Sequence, residues 1–214
     1  MAARFKYVGD SDLGLTWKWE FDNGGQIQFA SLNGEENRTD EKGSKKDLML
    51  IWDHSMKDGG IGLGVVYGGY DSYSPISEKT RVLARGYSQW GRSRFGLEAL
   101  WAKDSADAAT DLELAEGVKL SSDLPGQRTT TVGGSLWWLY QLGEREQMFF
   151  RYDDLNPSRE VPEKGLRSIQ AAFSFQYSES VILALFYDQL EKQAMHSTTS
   201  PKSEKIGVTA KVTF

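Results

Sequence analysis

Residues 13–22 read Leu13-Gly14-Leu15-Thr16-Trp17-Lys18-Trp19-Glu20-Phe21-Asp22. Leu13, Leu15, Trp17, Trp19 and Phe21 share one side of the alternation, and Gly14, Thr16, Lys18, Glu20 and Asp22 share the other. Successive side chains of a β-strand point to opposite faces, so this stretch predicts a strand with one apolar and one wet surface. A helix of the same sequence would mix the two classes around its circumference. The same period of two returns at Ile169, Ala171, Phe173, Phe175 and Tyr177, and again at Ile206, Val208, Ala210, Val212 and Phe214.

Extended along the chain, the pattern predicts strands near 3–8, 12–21, 25–32, 46–54, 61–69, 78–88, 91–103, 128–141, 146–153, 165–177, 180–190 and 204–214. The connections alternate in length. Short ones fall at 22–25, 55–60, 88–91, 142–145 and 178–180; long ones fall at 32–45, 69–77, 104–128, 154–165 and 191–203. An antiparallel meander with tight turns at one end and long loops at the other gives this rhythm. A Greek-key sandwich would break it.

Composition narrows the class. The 214 residues fit one domain spanning 1–214, and 7 Trp, 9 Tyr and 10 Phe argue for a folded object. Zero cysteines exclude a disulfide scaffold and thiol chemistry. A net charge of -5 argues against a general nucleic-acid binder. No apolar run approaches the roughly 18 residues of a transmembrane helix. No signal peptide is read at Met1-Ala2-Ala3-Arg4, so the chain is expected either in the cytosol or as a mature form whose export signal has been removed.

The polar face decides which side is out. It carries Lys18, Glu20, Asp22, Arg94, Glu98, Arg151, Asp153, Lys205 and Lys211 among Gly, Ser, Thr and Gln. Charges of both signs beside small residues suit a water-filled lumen better than an outer surface, which places the apolar face toward lipid. Aromatic residues concentrate near strand ends. Trp17, Trp19, Phe21, Trp52, Tyr140, Tyr177 and Phe214 lie near the short turns or the C-terminus, while Tyr7, Phe29, Tyr67, Trp101, Tyr152 and Tyr187 lie toward the long loops. Two aromatic girdles around a band of Leu, Val, Ile and Ala are expected at two membrane interfaces.

On these residues the sequence resembles a Gram-negative outer-membrane β-barrel of the small porin-like kind. The C-terminal run Gly207-Val208-Thr209-Ala210-Lys211-Val212-Thr213-Phe214 is similar to that family's terminal assembly signal, in which the final aromatic is read by the barrel-assembly machinery. The resemblance implies an all-β, antiparallel up-and-down transmembrane barrel in the outer membrane, with short turns in the periplasm and long loops outside. Twelve strands follow if both termini are periplasmic. Ten follow if the first segment is no strand or the 61–88 region is misread, and a third reading makes the chain the C-terminal part of a larger barrel.

The candidate sites follow from this topology. Lys18, Glu20, Arg94, Glu98, Arg151 and Lys211 are expected to line a pore. Lys6, Lys18, Lys205 and Lys211 are expected to form a basic strip, opposed by Asp47 and Asp53. The alternative is that these charges pair and plug the barrel. In loop 104–127, the stretch Ala106–Gly117 reads as a short acidic helix. The resemblance implies that such a loop can fold inward and bring Asp107, Asp111, Glu113 and Glu116 to a constriction; a solvated external loop is the other reading.

Catalysis has few candidates. His54-Ser55 falls at a short turn, the end opposite to the one where barrel phospholipases act, and His196-Ser197 with Asp153-Asp154 lacks the spacing of barrel proteases. No cofactor or metal cluster is expected. The predicted function is passive or weakly selective diffusion of small polar or charged solutes. The expected partners are those solutes, outer-membrane lipids, the assembly machinery and further copies of the chain. A closed barrel that binds or adheres through its loops is the alternative, and a hydrolase a more distant one.

Overall fold

The protein is described from a computed structural model covering residues 14–33, 46–69, 78–105, 127–160, 165–192 and 202–212. Eleven strands follow one another: β1 (Gly14–Glu20), β2 (Gly25–Asn33), β3 (Lys46–Met56), β4 (Gly59–Gly69), β5 (Glu78–Trp90), β6 (Ser93–Ser105), β7 (Arg128–Gln141), β8 (Glu146–Asn156), β9 (Leu166–Ser178), β10 (Val181–Lys192) and β11 (Lys202–Val212). They form one sheet in strict sequence order, each antiparallel to the next. The expected meander is therefore the fold. The segment expected as a strand at 3–8 lies outside the described residues.

Turn chemistry fixes the hairpins. Gly24 holds φ at +83, and a Cβ there would come within 2.6 Å of the Ser55 carbonyl oxygen. Only glycine occupies that backbone region without strain. Phe21 N–H donates to the Gly25 carbonyl at 2.8 Å and Gly24 N–H to the Phe21 carbonyl at 3.0 Å, closing the turn. The next hairpin is tighter than the sequence suggests: β3 runs on through Ser55 and Met56, which pair with Gly60 and Gly59, leaving only Lys57 and Asp58 to turn.

The register puts alternate residues on common faces, and the two faces are inverted relative to a water-soluble sheet. Among the described residues, the buried apolar side chains are few: Ala30, Leu100, Ala102, Leu155 and Leu166. Most of the large apolar residues instead stand exposed on the opposite face, Trp19 at 54% and Trp90 at 84% among them. Trp17 tilts against Phe29 at 5.8 Å, and Phe95 stacks on Trp138 at 6.2 Å. A soluble monomer does not leave so continuous an apolar surface in water, whereas lipid covers it at no cost.

Parity constrains the two edges. β1 and β11 are separated by an even number of reversals, so they run in the same direction. Direct antiparallel pairing between them is ruled out, and an even strand number is what an up-and-down barrel of this kind uses. Among the described residues each therefore ends the sheet with an open edge.

Candidate functional site: the polar face

The residues opposite the apolar face form registers that run from strand to strand. One row reads Gln26, Asp53, Gly62, Arg85, Glu98, Ser135, Asp153 and Ser168 from β2 to β9. The adjacent row reads Ser55, Gly60, Tyr87, Gly96, Trp137, Arg151, Gln170, Asp188 and Lys205 from β3 to β11. Glycine or serine interrupts the larger residues in each row. Long side chains thus lie sideways over a neighbour's glycine: Arg85 and Asp53 cross Gly62, and the Trp137 indole lies over Gly96. At Gly64, two residues on, the nearest atom, Ile51 Cγ1, would lie 3.8 Å from a Cβ, an ordinary contact.

Charges pair along the wall. Arg85 donates to Asp53 through Nε at 3.1 Å and Nη2 at 2.7 Å. Arg151 Nη2 reaches Glu98 at 3.0 Å, and its Nε reaches Asp153 at 2.9 Å. Nearer the long loops, Lys79 Nζ sits 2.5 Å from Asp47, and Arg81 Nε sits 3.1 Å from Asp104. These last four side chains are buried, and such charges persist in a protein interior when they are matched. Beside the Asp53–Arg85 pair lies a cavity of about 390 Å³, lined also by Gln26, Tyr87, Glu98 and Trp137 among others.

The sequence-derived pore residues are placed as follows. Glu98 and Arg151 meet in the wall. Lys18 and Glu20 face the same side of β1 and bind each other at 2.6 Å. Arg94 lies near a short turn, its guanidinium 5.0 Å from the Tyr87 ring centre and 3.3 Å from Gln89 Oε1. Lys211, exposed on β11, stands opposite Ile182. Lys205 stands opposite Asp188, and Asp53 opposite Gly62 beside Arg85. Asp107, Asp111, Glu113, Glu116, Lys6 and Phe214 lie outside the described residues. Trp17, Trp19, Trp52, Trp101, Tyr140 and Tyr177 all stand on the apolar face, Tyr140 partly covered by Trp138 at 5.7 Å.

Sequence reasoning missed the roles of Lys79, Arg81, Arg85 and Asp104. The signal was present as the alternation Lys79, Arg81, Leu83, Arg85, Tyr87, which puts three cations on one face, but partners on other strands are set by register alone. It also missed an inward-folding segment after β8. Pro157 and Ser158 are buried; the Pro157 carbonyl accepts from Thr131 Oγ1 at 2.8 Å and Thr129 Oγ1 at 3.4 Å. Arg159 N–H donates to the Thr130 carbonyl at 2.9 Å, and Thr130 N–H donates to Glu160 Oε2 at 2.8 Å. Because Thr129 and Thr131 share the face of Asp104 and Ala102, residues 157–158 overlie the polar face. Burial pushes the Glu160 carboxyl up, but the Thr130 N–H and the neighbouring hydroxyls outweigh it and hold the group below the usual carboxylate range.

The catalytic candidates do not converge. Asp153 faces Arg151 on the polar side, while Asp154 faces Tyr152 and Arg167 on the other. His54 stacks on Trp52 on the apolar face at 6.3 Å, away from Ser55, and His196 lies outside the described residues. Among the described residues no cluster of three metal-ligating side chains occurs.

No protein-family model matches the chain, and no curated protein does. Solved structures do. The fold is similar to a porin refined at 1.8 Å resolution, with a TM-score of 0.67 at 8% identity, covering 92% of this chain and 60% of that one. It is similar also to an anion-selective porin from Comamonas acidovorans, with a TM-score of 0.69 at 9% identity, covering 92% of this chain and 58% of that one. The chain spans about three-fifths of the length of these structures. Its architecture, an antiparallel up-and-down sheet with one apolar and one polar face, is similar to that of these two porins.

Proposed function

We propose that this chain forms the wall of an outer-membrane channel through which small polar or charged solutes diffuse passively or with weak selectivity. The observation that supports it most is the inversion of the sheet: the Arg81–Asp104 and Arg151–Glu98 pairs are sheltered on one face while Trp, Leu and Phe stand exposed on the other. Lys18, Glu20, Arg94, Glu98, Arg151 and Lys211 line the pore in this reading, joined by Asp53 and Arg85. Trp17, Trp19, Trp52, Trp101, Tyr140 and Tyr177 anchor in the two interfaces. Lipids cover the apolar face, the assembly machinery reads Phe214, and copies of the chain associate through their walls. In this reading the charges pair with neighbours along the wall rather than across the lumen.

The test is single-channel conductance of the refolded protein in a planar bilayer, with selectivity taken from the reversal potential. Stable current steps are expected. A folded, membrane-inserted protein that never conducts overturns the channel and leaves a closed barrel working through its loops.

A further inference from the structure

We infer that an apolar row on the inner face forms a hydration barrier in the channel, slowing ions of both signs more than neutral solutes. The inference rests on the channel reading and names what limits passage through it.

The row lies two residues along each strand from the Asp53 row, toward the long loops. It consists of Ile51, Leu83, Leu100, Leu155 and Leu166, spaced by Gly64 and Gly133, and runs in register from β3 to β9. Gln28 on β2 and Lys192 on β10 end it. These positions share the parity of Asp53, Arg85, Glu98 and Asp153, so they stand on the inner side and not among the lipid-facing residues. Ile51 and Leu83 flank Gly64, where a Cβ would lie 3.8 Å from Ile51 Cγ1 and 3.9 Å from Leu83 Cβ. The next row deepens the band with Ala30, Met49, Val66 and Ala102, and Arg81 interrupts it.

Burial sets this level apart. Leu155 and Leu166 are wholly covered, and Leu100 is 4% exposed. Nearer the short turns on the same face, Tyr87 is 37% exposed and the Arg85 side chain 55%. The inner face is thus open around the cavity and closed over at the apolar row. Beyond the row come the buried Lys79–Asp47 and Arg81–Asp104 pairs. A permeating ion meets charges on either side of the row and none in it between β3 and β9.

Leucine and isoleucine side chains offer no polar atom to replace shed water, and the backbone groups of the row belong to the sheet ladder. The row therefore raises the energy of a cation and of an anion alike, as hydrophobic constrictions do by dewetting. A neutral solute holds its hydration less tightly and loses less there. Charges elsewhere on the wall would instead favour one sign over the other.

The experiment uses the full chain in planar bilayers under a potassium chloride gradient. Leu83→Asn puts a polar side chain of similar size into the row without adding charge. Unitary conductance is expected to rise severalfold with the reversal potential unmoved. Ile51→Thr should act in the same direction, and Leu83→Met, which stays apolar, should change nothing; heat-modifiable gel migration shows that each variant is folded. Urea entry into proteoliposomes, the neutral probe, should rise far less than the ion conductance. A silent wild type beside a conducting Leu83→Asn also supports the barrier. Equal conductance in the wild type and both polar variants overturns the barrier and leaves the channel standing. A shifted reversal potential does the same, as does an equal gain for urea and ions, which marks mere widening. Silence from every folded protein overturns the channel, and the barrier falls with it.

Discussion

Arg151 on β8 reaches Glu98 on β6 across the whole width of β7, Nη2 to Oε2 at 3.0 Å, while its Nε holds Asp153 at 2.9 Å. One guanidinium thus ties the inner surfaces of two non-adjacent strands. The gap is open because β7 places Ser135, rather than a large residue, between Glu98 and Asp153 in register. Replacing Arg151 by methionine removes the donor that two largely sheltered carboxylates share. The expected loss is about 1–3 kcal/mol, read from urea unfolding in lipid vesicles. An unchanged midpoint would mean that water already solvates both acids.

The apolar face offers a sharper discrimination. Leu63 stands exposed near the middle of β4. At a site facing water, Leu63→Arg would change stability by no more than about 0.5 kcal/mol. At a lipid-facing site near the membrane midplane it should cost about 2–4 kcal/mol. The same unfolding measurement decides between them, and a neutral result removes the membrane from the argument.

Gly24 is the conformational keystone of the first hairpin. An alanine there must hold a positive φ and meet the Ser55 carbonyl oxygen. A loss of about 1–2 kcal/mol is expected from the backbone conformation alone, detectable as a lowered refolding yield. Wild-type yield would show that the turn rearranges freely.

Glu160 gives the pH dependence. Its carboxyl is held below its ordinary value in the folded protein. The stabilisation it gives residues 157–160 is therefore complete above the unfolded-state value, near 4.3, and is lost as pH falls through the lowered one. Protection of the Thr130 amide against hydrogen exchange, corrected for intrinsic rate, should fall on acidification. Glu160→Gln should show weaker protection with no such fall. A parallel acid response in both proteins assigns it elsewhere.

The strand plan was legible because a period of two is a local property. Trp17/Trp19 against Lys18/Glu20 needs no tertiary information to be assigned to two faces, and turn residues such as Gly24 and Asp58-Gly59 punctuate it. Strand ends shifted by a residue or two, as at Ser55 and Met56, because hydrogen bonding in a tight hairpin carries on where hydropathy has stopped signalling. The face that each of Arg85, Arg81 and Lys79 occupies could also be read, as could that of Glu98 and Arg151.

Which charge meets which could not. Arg85 finds Asp53, 32 residues away, and Arg151 finds Glu98, 53 away, because register slides whole strands past one another. No local pattern encodes that offset. Within the expected lysine strip, Lys18 binds Glu20 on its own strand, and Lys205 stands across from Asp188. The fold of segment 157–160 over Thr129 and Thr131 likewise depends on two strands meeting. By itself, then, the sequence determined two alternating faces, their turns and the inversion that sends tryptophan outward, all consequences of backbone geometry within a strand. Only the tertiary structure decided the ion pairs, the glycine-seated rings and the cavity between them, since these are set by contacts between residues that the chain keeps far apart.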